Sequence, residues 1–412
     1  MISFDSFTLQ NGLRVIVHRD ETTPLAAFNL LYDVGSRDES PEKTGFAHLF
    51  EHLMFGGTTN VPNFDQPLQR VGAENNAFTS PDITNYYTLL PAENLETAFW
   101  LESDRMLTLS FDPQVLEVQR KVVIEEFKQR YLNQPYGDLW LKLRPLAYKT
   151  HPYRWATIGK EIRHIEEATM EDVKDFFFRF YRPNNAVLVV AGNVKTAEVE
   201  RLAKKWFGDI EASDLAPRSL PQEAAQTEAR TFDAQGDVPL EQLTLAFPMV
   251  EQTHEDYTAT DLVSDILGRD ESALLYRRLV NEEEVFQSMD AYITGSMDPG
   301  LLVLSGRVRE GVQLEEAYQK LKSELRVFRD TPTEASELEK VKNQAEAART
   351  FSEVNLLNRA IQLAYGTVLG NTNLVNEQQA RIQAVSGEQI ERLKQSVLAD
   401  TQENALFYRK KD

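Results

Sequence analysis

At 412 residues the chain is too long for one ordinary hydrophobic core, which implies two or more domains. A hydrophobic content of 42% with 26% charged residues excludes disorder, and no run of eighteen apolar residues is present to span a membrane. A net charge of −20 argues against nucleic-acid binding, which needs clustered Lys and Arg; it is compatible with cationic substrates, although a solvated acidic surface explains most of these charges.

Because the sequence has no cysteine, disulfides and thiolate zinc sites are excluded, which leaves His and carboxylates as metal ligands. The first residues, Met-Ile-Ser-Phe-Asp-Ser-Phe, have neither a basic nor an apolar targeting region. The expectation is a soluble protein without a signal peptide, with the choice between cytoplasm and periplasm left open.

The Asn11-Gly12 pair, set between alternating apolar flanks over residues 9–17, predicts a β-hairpin, and residues 26–32 read as a buried strand. Ser40-Pro41 and Thr44-Gly45 then supply helix-start signals, and Gly56-Gly57 a stop, around Phe46-Ala47-His48-Leu49-Phe50-Glu51-His52-Leu53-Met54-Phe55. At about 3.6 residues per turn, His48, Glu51, His52 and Phe55 share one face. Two imidazoles one turn apart can reach one metal ion, and a carboxylate between them can reach a water beside it, which is the H-x-x-E-H equipment of a zinc hydrolase. The competing explanation is a polar seam that holds two histidines by accident.

Residues 72–81 come next, and their Asn75-Asn76 pair reads equally well as a plain turn. Residues 85–90 read as a strand closed by Pro91, followed by a helix to about Met106. Asp112-Pro113 is a good start for another helix running to about Tyr131. On it, Glu126 shares a face with Val115, Gln119, Val122 and Val123 and points towards the core, whereas Glu125 sits with Lys121 and Gln129 on an exposed face. A carboxylate on an apolar face is unfavourable unless paired or metal-bound, so Glu126 is the candidate third ligand. Satisfaction by Arg130 or by a backbone donor is the alternative.

Residues 151–159 are loop-like, 170–181 form a phenylalanine-rich helix, 185–192 a buried strand and 199–207 a helix. Residues 211–228, with Pro217 and Pro221, read as a linker between an N-terminal domain of residues 1–210 and a C-terminal domain of residues 229–412. Beyond it the plan restarts: a strand at 242–248, a helix at 257–267, a short helix at 274–280 and strands at 286–294 and 301–308. Long helices follow at 313–328 and 334–368, and a closing strand at 404–408 echoes the one at 185. Similar length and element order predict an α+β fold of two similar duplicated domains, each a mostly antiparallel sheet packed against helices.

Several blocks occur in a telling order: Leu-x-Asn-Gly-Leu-x-Val at the start, His-Leu-Phe-Glu-His within residues 35–57, and Asn76-Ala77-Phe78-Thr79. Arg120-Lys121-Val122-Val123-Ile124-Glu125-Glu126, His151-Pro152-Tyr153 and Tyr181-Arg182-Pro183-Asn184-Asn185-Ala186 complete the set. Together they resemble the insulinase/pitrilysin family of zinc peptidases, specifically its short two-domain branch that includes the mitochondrial processing peptidase. The resemblance implies one zinc ion per chain held by His48, His52 and Glu126, with Glu51 as general base. It also implies that Asn76, Ala77 and Phe78 lie on an edge strand whose main chain pairs with an extended substrate.

Two positions depart from the family pattern. Gln119 stands where a glutamate commonly supports the site, so it can hydrogen-bond a ligand but adds no charge. In the C-terminal half, Val280 and Gln287 stand where self-sufficient members carry an Arg and a Tyr that bind substrate and stabilise the oxyanion. The expectation is therefore an endopeptidase acting on short or unfolded peptides in a closed chamber. It would be the zinc-bearing subunit of a heterodimer whose zinc-lacking homologous partner supplies the Arg-Tyr pair. A homodimer in which Arg277 or Arg278 substitutes, and a peptide-binding or scaffolding subunit with little cleavage of its own, are the alternatives.

Overall fold

The computed structural model describes residues 1–411. The N-terminal half runs β1 (Asp5–Thr8), β2 (Arg14–Arg19), β3 (Leu25–Tyr32), α1 (Phe46–Leu53), α2 (Asp65–Arg70), β4 (Glu74–Thr79), β5 (Thr84–Pro91), α3 (Leu95–Thr108), α4 (Pro113–Phe127), α5 (Leu139–Ala147), α6 (Ile162–Glu166), α7 (Met170–Phe180), β6 (Ala186–Gly192) and α8 (Thr196–Phe207). The C-terminal half runs β7 (Arg230–Gly236), β8 (Gln242–Pro248), α9 (Tyr257–Gly268), β9 (Phe286–Ile293), β10 (Leu301–Val308), α10 (Leu314–Asp330), α11 (Ala335–Val354), α12 (Leu356–Val368), α13 (Leu374–Ala384), α14 (Gly387–Val397) and β11 (Asn404–Lys410). Among the described residues no helix is long and apolar enough to cross a membrane.

The strands form a six-stranded sheet in the order β1-β2-β6-β3-β5-β4 and a five-stranded sheet in the order β7-β11-β8-β10-β9. Pairing polarity repeats between them. β2 with β6 and β7 with β11 are parallel, and the remaining neighbours are antiparallel. This is the duplicated α+β plan that element order predicted, with β1 as an addition to the first copy. Both sequence expectations for the ends of that plan hold: Thr8 pairs with Arg14 across the Asn11-Gly12 turn, and β4 is an edge strand. In β6 every residue is buried, so its run of Val and Leu is continuous rather than alternating.

The compact units do not follow the contiguous division at residues 211–228. One unit comprises Met1–Phe127, Trp155–Leu220 and Thr350–Glu377; the other comprises Lys128–Arg154, Pro221–Arg349 and the chain from Gln378 onward. Each therefore takes a helix from the opposite half of the sequence. In the first, α12 packs on β6 and β3 and buries Ala360, Leu363 and Ala364. In the second, α5 buries Leu139, Leu143, Leu146 and Ala147 with Ala234, Ala246, Leu406 and Tyr408 of β7, β8 and β11.

Specific bonds anchor both helices. Arg14 Nη1 donates to the Thr367 carbonyl at 3.2 Å, and Arg359 Nη2 to Asp20 Oδ2 at 2.7 Å. In the second unit Arg230 Nη1 donates to the Ala147 carbonyl at 2.9 Å, and the Tyr408 hydroxyl to Asp138 Oδ1 at 2.8 Å.

The linker residues are also tied down. Arg218 binds Asp33 and Asp38 at 2.9 and 2.7 Å, and the Glu223 carboxylate accepts the Thr150 and His151 amides at 2.5 and 2.6 Å. The helix expected over 334–368 is two helices, because the Asn355 side chain accepts from the Leu357 and Asn358 amides at 2.8 and 3.3 Å and starts a new one.

A candidate metal centre on two helices

Helix α1 starts at Gly45, whose φ of +86° favours glycine and where a Cβ would lie 2.6 Å from the Ile158 carbonyl oxygen. The side chain expected to cap it does not. Thr44 Oγ1 lies 2.9 Å from His164 Nδ1 and accepts the Lys160 amide at 2.8 Å. The cap comes from Glu39, whose two carboxylate oxygens accept the Gly45 and Ala47 amides at 2.9 and 2.8 Å. Burial pushes the Glu39 carboxyl up to about 8, against the opposing pull of the Ala47 and Gly45 amides.

The inner side of α1 buries Phe46, Ala47, Leu49, Phe50 and Leu53. Phe50 packs on Tyr181 at 4.5 Å and on Phe176 at 5.5 Å between ring centroids. His48, Glu51 and His52 are left on the half-buried side, as the helical spacing predicted. Gly56 lets α4 come close after the helix ends, since a Cβ there would be 2.3 Å from Val115 Cγ1.

That approach brings Glu126 of α4 to the histidines. Its Oε2 lies 3.3 Å from His52 Nε2 and 3.7 Å from His48 Nε2, and the two rings meet edge to face at 4.8 Å. Donors about 2.0–2.1 Å from a common tetrahedral centre are about 3.3–3.4 Å apart, so this spacing suits one zinc ion. Two imidazoles and a carboxylate are also the donor set of hydrolytic sites that keep a position for water. Among the described residues this is the one group of three His, Asp or Glu side chains close enough to hold a metal.

The face of α4 that carries Glu126 is less apolar and less buried than its spacing predicts. Val122 is 43% exposed; the buried line of α4 is Leu116, Val123 and Phe127. Glu126 lies on the half-buried flank with Val115 and Gln119, while Glu125 is exposed as expected.

Glu51 is held by Thr79, to which the sequence alone assigns no role. Thr79, the last residue of β4, donates its hydroxyl to Glu51 Oε2 at 2.6 Å. Beneath them, the buried hydroxyls of Tyr86 and Tyr181 are 3.4 Å apart. Burial holds both phenols well above their ordinary range, with the Glu51 carboxylate a lesser contributor, so both stay protonated.

The remaining expected residues separate. On β4, Asn76 and Phe78 are exposed and Ala77 half-buried, and Asn76 Oδ1 accepts the Ala77 amide at 2.8 Å; a turn at Asn75-Asn76 is not formed. The Gln119 side chain forms no hydrogen bond among the described residues. Val280 is buried in a π-helical turn and Gln287 is exposed on β9. Arg278 is taken up by Glu282 and by Glu324 at 3.3 Å, whereas Arg277 is exposed.

The sequence profile described as insulinase, peptidase family M16, matches residues 14–148, and that described as the peptidase M16 inactive domain matches residues 167–345. A zinc protease, PqqE, from Helicobacter pylori is 32% identical over 344 residues, spanning 82% of this chain and 77% of that protein. The chain belongs to the insulinase family.

Among other relatives, a probable mitochondrial-processing peptidase subunit beta from Schizosaccharomyces pombe is 28% identical over 72% of this chain and 67% of its own length. The crystal structure of a protease from Helicobacter pylori superposes with a TM-score of 0.92 at 28% identity, covering 99% of this chain and all of that one. Family membership and fold thus agree, and several relatives are named as zinc proteases.

Proposed function

We propose that the chain is a zinc-dependent endopeptidase that cleaves short or unfolded peptides in a closed chamber, as the zinc-bearing member of a two-subunit enzyme. The observation that carries this reading is the convergence of His48 Nε2 and His52 Nε2 on Glu126 Oε2, with Glu51 one turn from His48 on the same helix. His48, His52 and Glu126 would hold the ion. When bound, zinc supplies Lewis acidity that polarises a peptide carbonyl and acidifies water.

The chain's own groups do the rest. The exposed edge of β4, through Asn76, Ala77 and Phe78, takes an extended peptide by main-chain pairing. The Glu51 carboxylate receives the proton of the attacking water and passes it to the leaving amine.

Dependence on a second chain is supported by Val280 and Gln287: a buried valine and an exposed amide offer no cation and no phenol for the developing oxyanion. The relative named as a processing-peptidase beta subunit points the same way.

The test is cleavage of quenched fluorescent peptides by the chain alone, by the chain with a zinc-lacking homologous subunit, and by Glu51→Gln. Glu51→Gln should lower the rate by about 10²–10⁴-fold. Equal cleavage by wild type and Glu51→Gln would remove the assignment, and full activity of the chain alone would remove the partner. Metal analysis separates the ligand from its neighbour: Glu126→Gln should lose zinc and Glu125→Gln should keep it.

A further inference from the structure

The edge strand and the base are joined by one hydrogen bond. Thr79 Oγ1 donates to Glu51 Oε2 at 2.6 Å, the length of a charge-assisted O–H···O⁻ bond. Thr79 sits on the half-buried side of β4 with Asn75 and Ala77, while Glu74, Asn76 and Phe78 face outward. Its main chain is fixed by pairing with Thr84 of β5, and among the described residues β4 has no partner strand on its other side. The donor that reaches Glu51 is therefore rooted in the strand that offers its free edge to a peptide.

We propose that Thr79 is a positioning residue that sets the Glu51 carboxylate from the substrate-binding strand, so that peptide pairing along β4 and the placement of the base are mechanically one event. This rests on the reading of Glu51 as general base and β4 as substrate strand. A glutamate has three rotatable side-chain bonds, and a donor from an anchored strand favours one of its rotamers before substrate arrives. β-strand addition acts on the main chain of residues 74–79, and a shift of that main chain moves the Thr79 hydroxyl with it. The hydroxyl and not the methyl group carries this role, because the hydroxyl is the group that hydrogen-bonds Glu51.

The experiment compares Thr79→Val and Thr79→Ser in the full chain with its partner subunit, by steady-state cleavage, zinc content and crystal structure. Valine keeps the shape and the strand preference but removes the donor; serine keeps the donor. Thr79→Val should lower kcat by about 10–100-fold with KM changed less than about threefold and zinc content unchanged, as expected when orientation of a catalytic group is lost. Thr79→Ser should stay within about threefold of wild type in kcat.

In the crystal, Glu51 should occupy one rotamer in wild type and Thr79→Ser and more than one in Thr79→Val. A Thr79→Val enzyme with wild-type kcat, a Thr79→Ser enzyme as slow as Thr79→Val, or a single Glu51 rotamer in Thr79→Val would each overturn the proposal. Failure of the underlying reading looks different: Glu51→Gln would then cleave as well as wild type, whatever rotamer Thr79 selects.

Discussion

The Glu39 carboxylate reaches eight residues forward to accept the Ala47 amide at 2.8 Å, and its other oxygen takes the Gly45 amide. One buried side chain thus closes the first turn of the helix that carries both histidines. Glu39→Gln leaves one oxygen for two amides and turns an NH₂ group towards the other. It should lower stability by about 1–3 kcal/mol, read as a lower denaturation midpoint at unchanged slope. If His48 binds zinc as proposed, a weaker hold on the ion should accompany it, since His48 follows Ala47 directly. An unchanged midpoint would show that the cap contributes nothing.

Helix α12 is fastened to β2 by a histidine that has to be neutral. His18 Nε2 lies 3.0 Å from Arg359 Nη1, which donates, so Nδ1 carries the proton and donates to the Ser3 carbonyl at 2.7 Å. Burial, with a smaller push from Arg359, lowers the His18 pKa below its ordinary value. A depressed folded-state pKa favours the neutral form, so its contribution is complete above about pH 6.5 and is lost as pH falls through the folded-state pKa. Between pH 8 and pH 5 the wild type should lose about 1–2 kcal/mol more stability than His18→Gln in thermal or urea unfolding. Parallel curves for the two proteins would exclude this fastening.

Arg105 and Glu102 form a buried pair on α3, only 1% and 2% exposed, with two bonds of 2.8 Å. The guanidinium lies 4.3 Å from the Tyr86 ring centroid and 4.6 Å from that of Phe64. Arg105→Met alone strands a buried carboxylate and should cost about 3–5 kcal/mol. Arg105→Met combined with Glu102→Leu should recover most of that loss, because neither charge is then left unpaired. A double variant as unstable as the single one would place the contribution in the aromatic contacts instead.

The shared helix makes a sharp truncation test. A fragment of residues 1–228 retains every strand of the first sheet but lacks α12, which leaves Ile16, Leu31, Val187 and Val189 uncovered on one face. Burying a side chain such as Leu363 contributes about 1.5–3 kcal/mol, and several are lost together. The fragment should show no cooperative thermal transition by circular dichroism, and co-expression with residues 229–412 should restore one. A cooperative transition in the fragment alone would mean that the first sheet is stable without its borrowed helix.

The parts legible in the sequence were those set by local periodicity. The His48 face follows from the helical repeat, and the strands at 242–248 and 301–308 from apolar runs bounded by turn residues. Strand β7 escaped because Thr231, Phe232 and Asp233 are all exposed, which erases any alternation. Helix α5 escaped because Pro145 interrupts its pattern.

Two further features depend on distant partners. An apolar helix face declares that it will be buried, not which sheet will receive it, so the exchange of α5 and α12 has no local signature. The same limit explains Glu39 and Thr79. Each is an ordinary polar residue until the fold brings it to the Ala47 amide or the Glu51 carboxylate.

The half of the chain in which no candidate metal-ligand group is found among the described residues still builds the half that has one, through α12. Loss of the second half by deletion or recombination would therefore take the histidine site with it. The second half can change in its own surface, but not in the helix it lends. Inheritance of His48, His52 and Glu126 is tied to that of Ala360, Leu363 and Ala364, residues that never approach them in sequence and share only their fate.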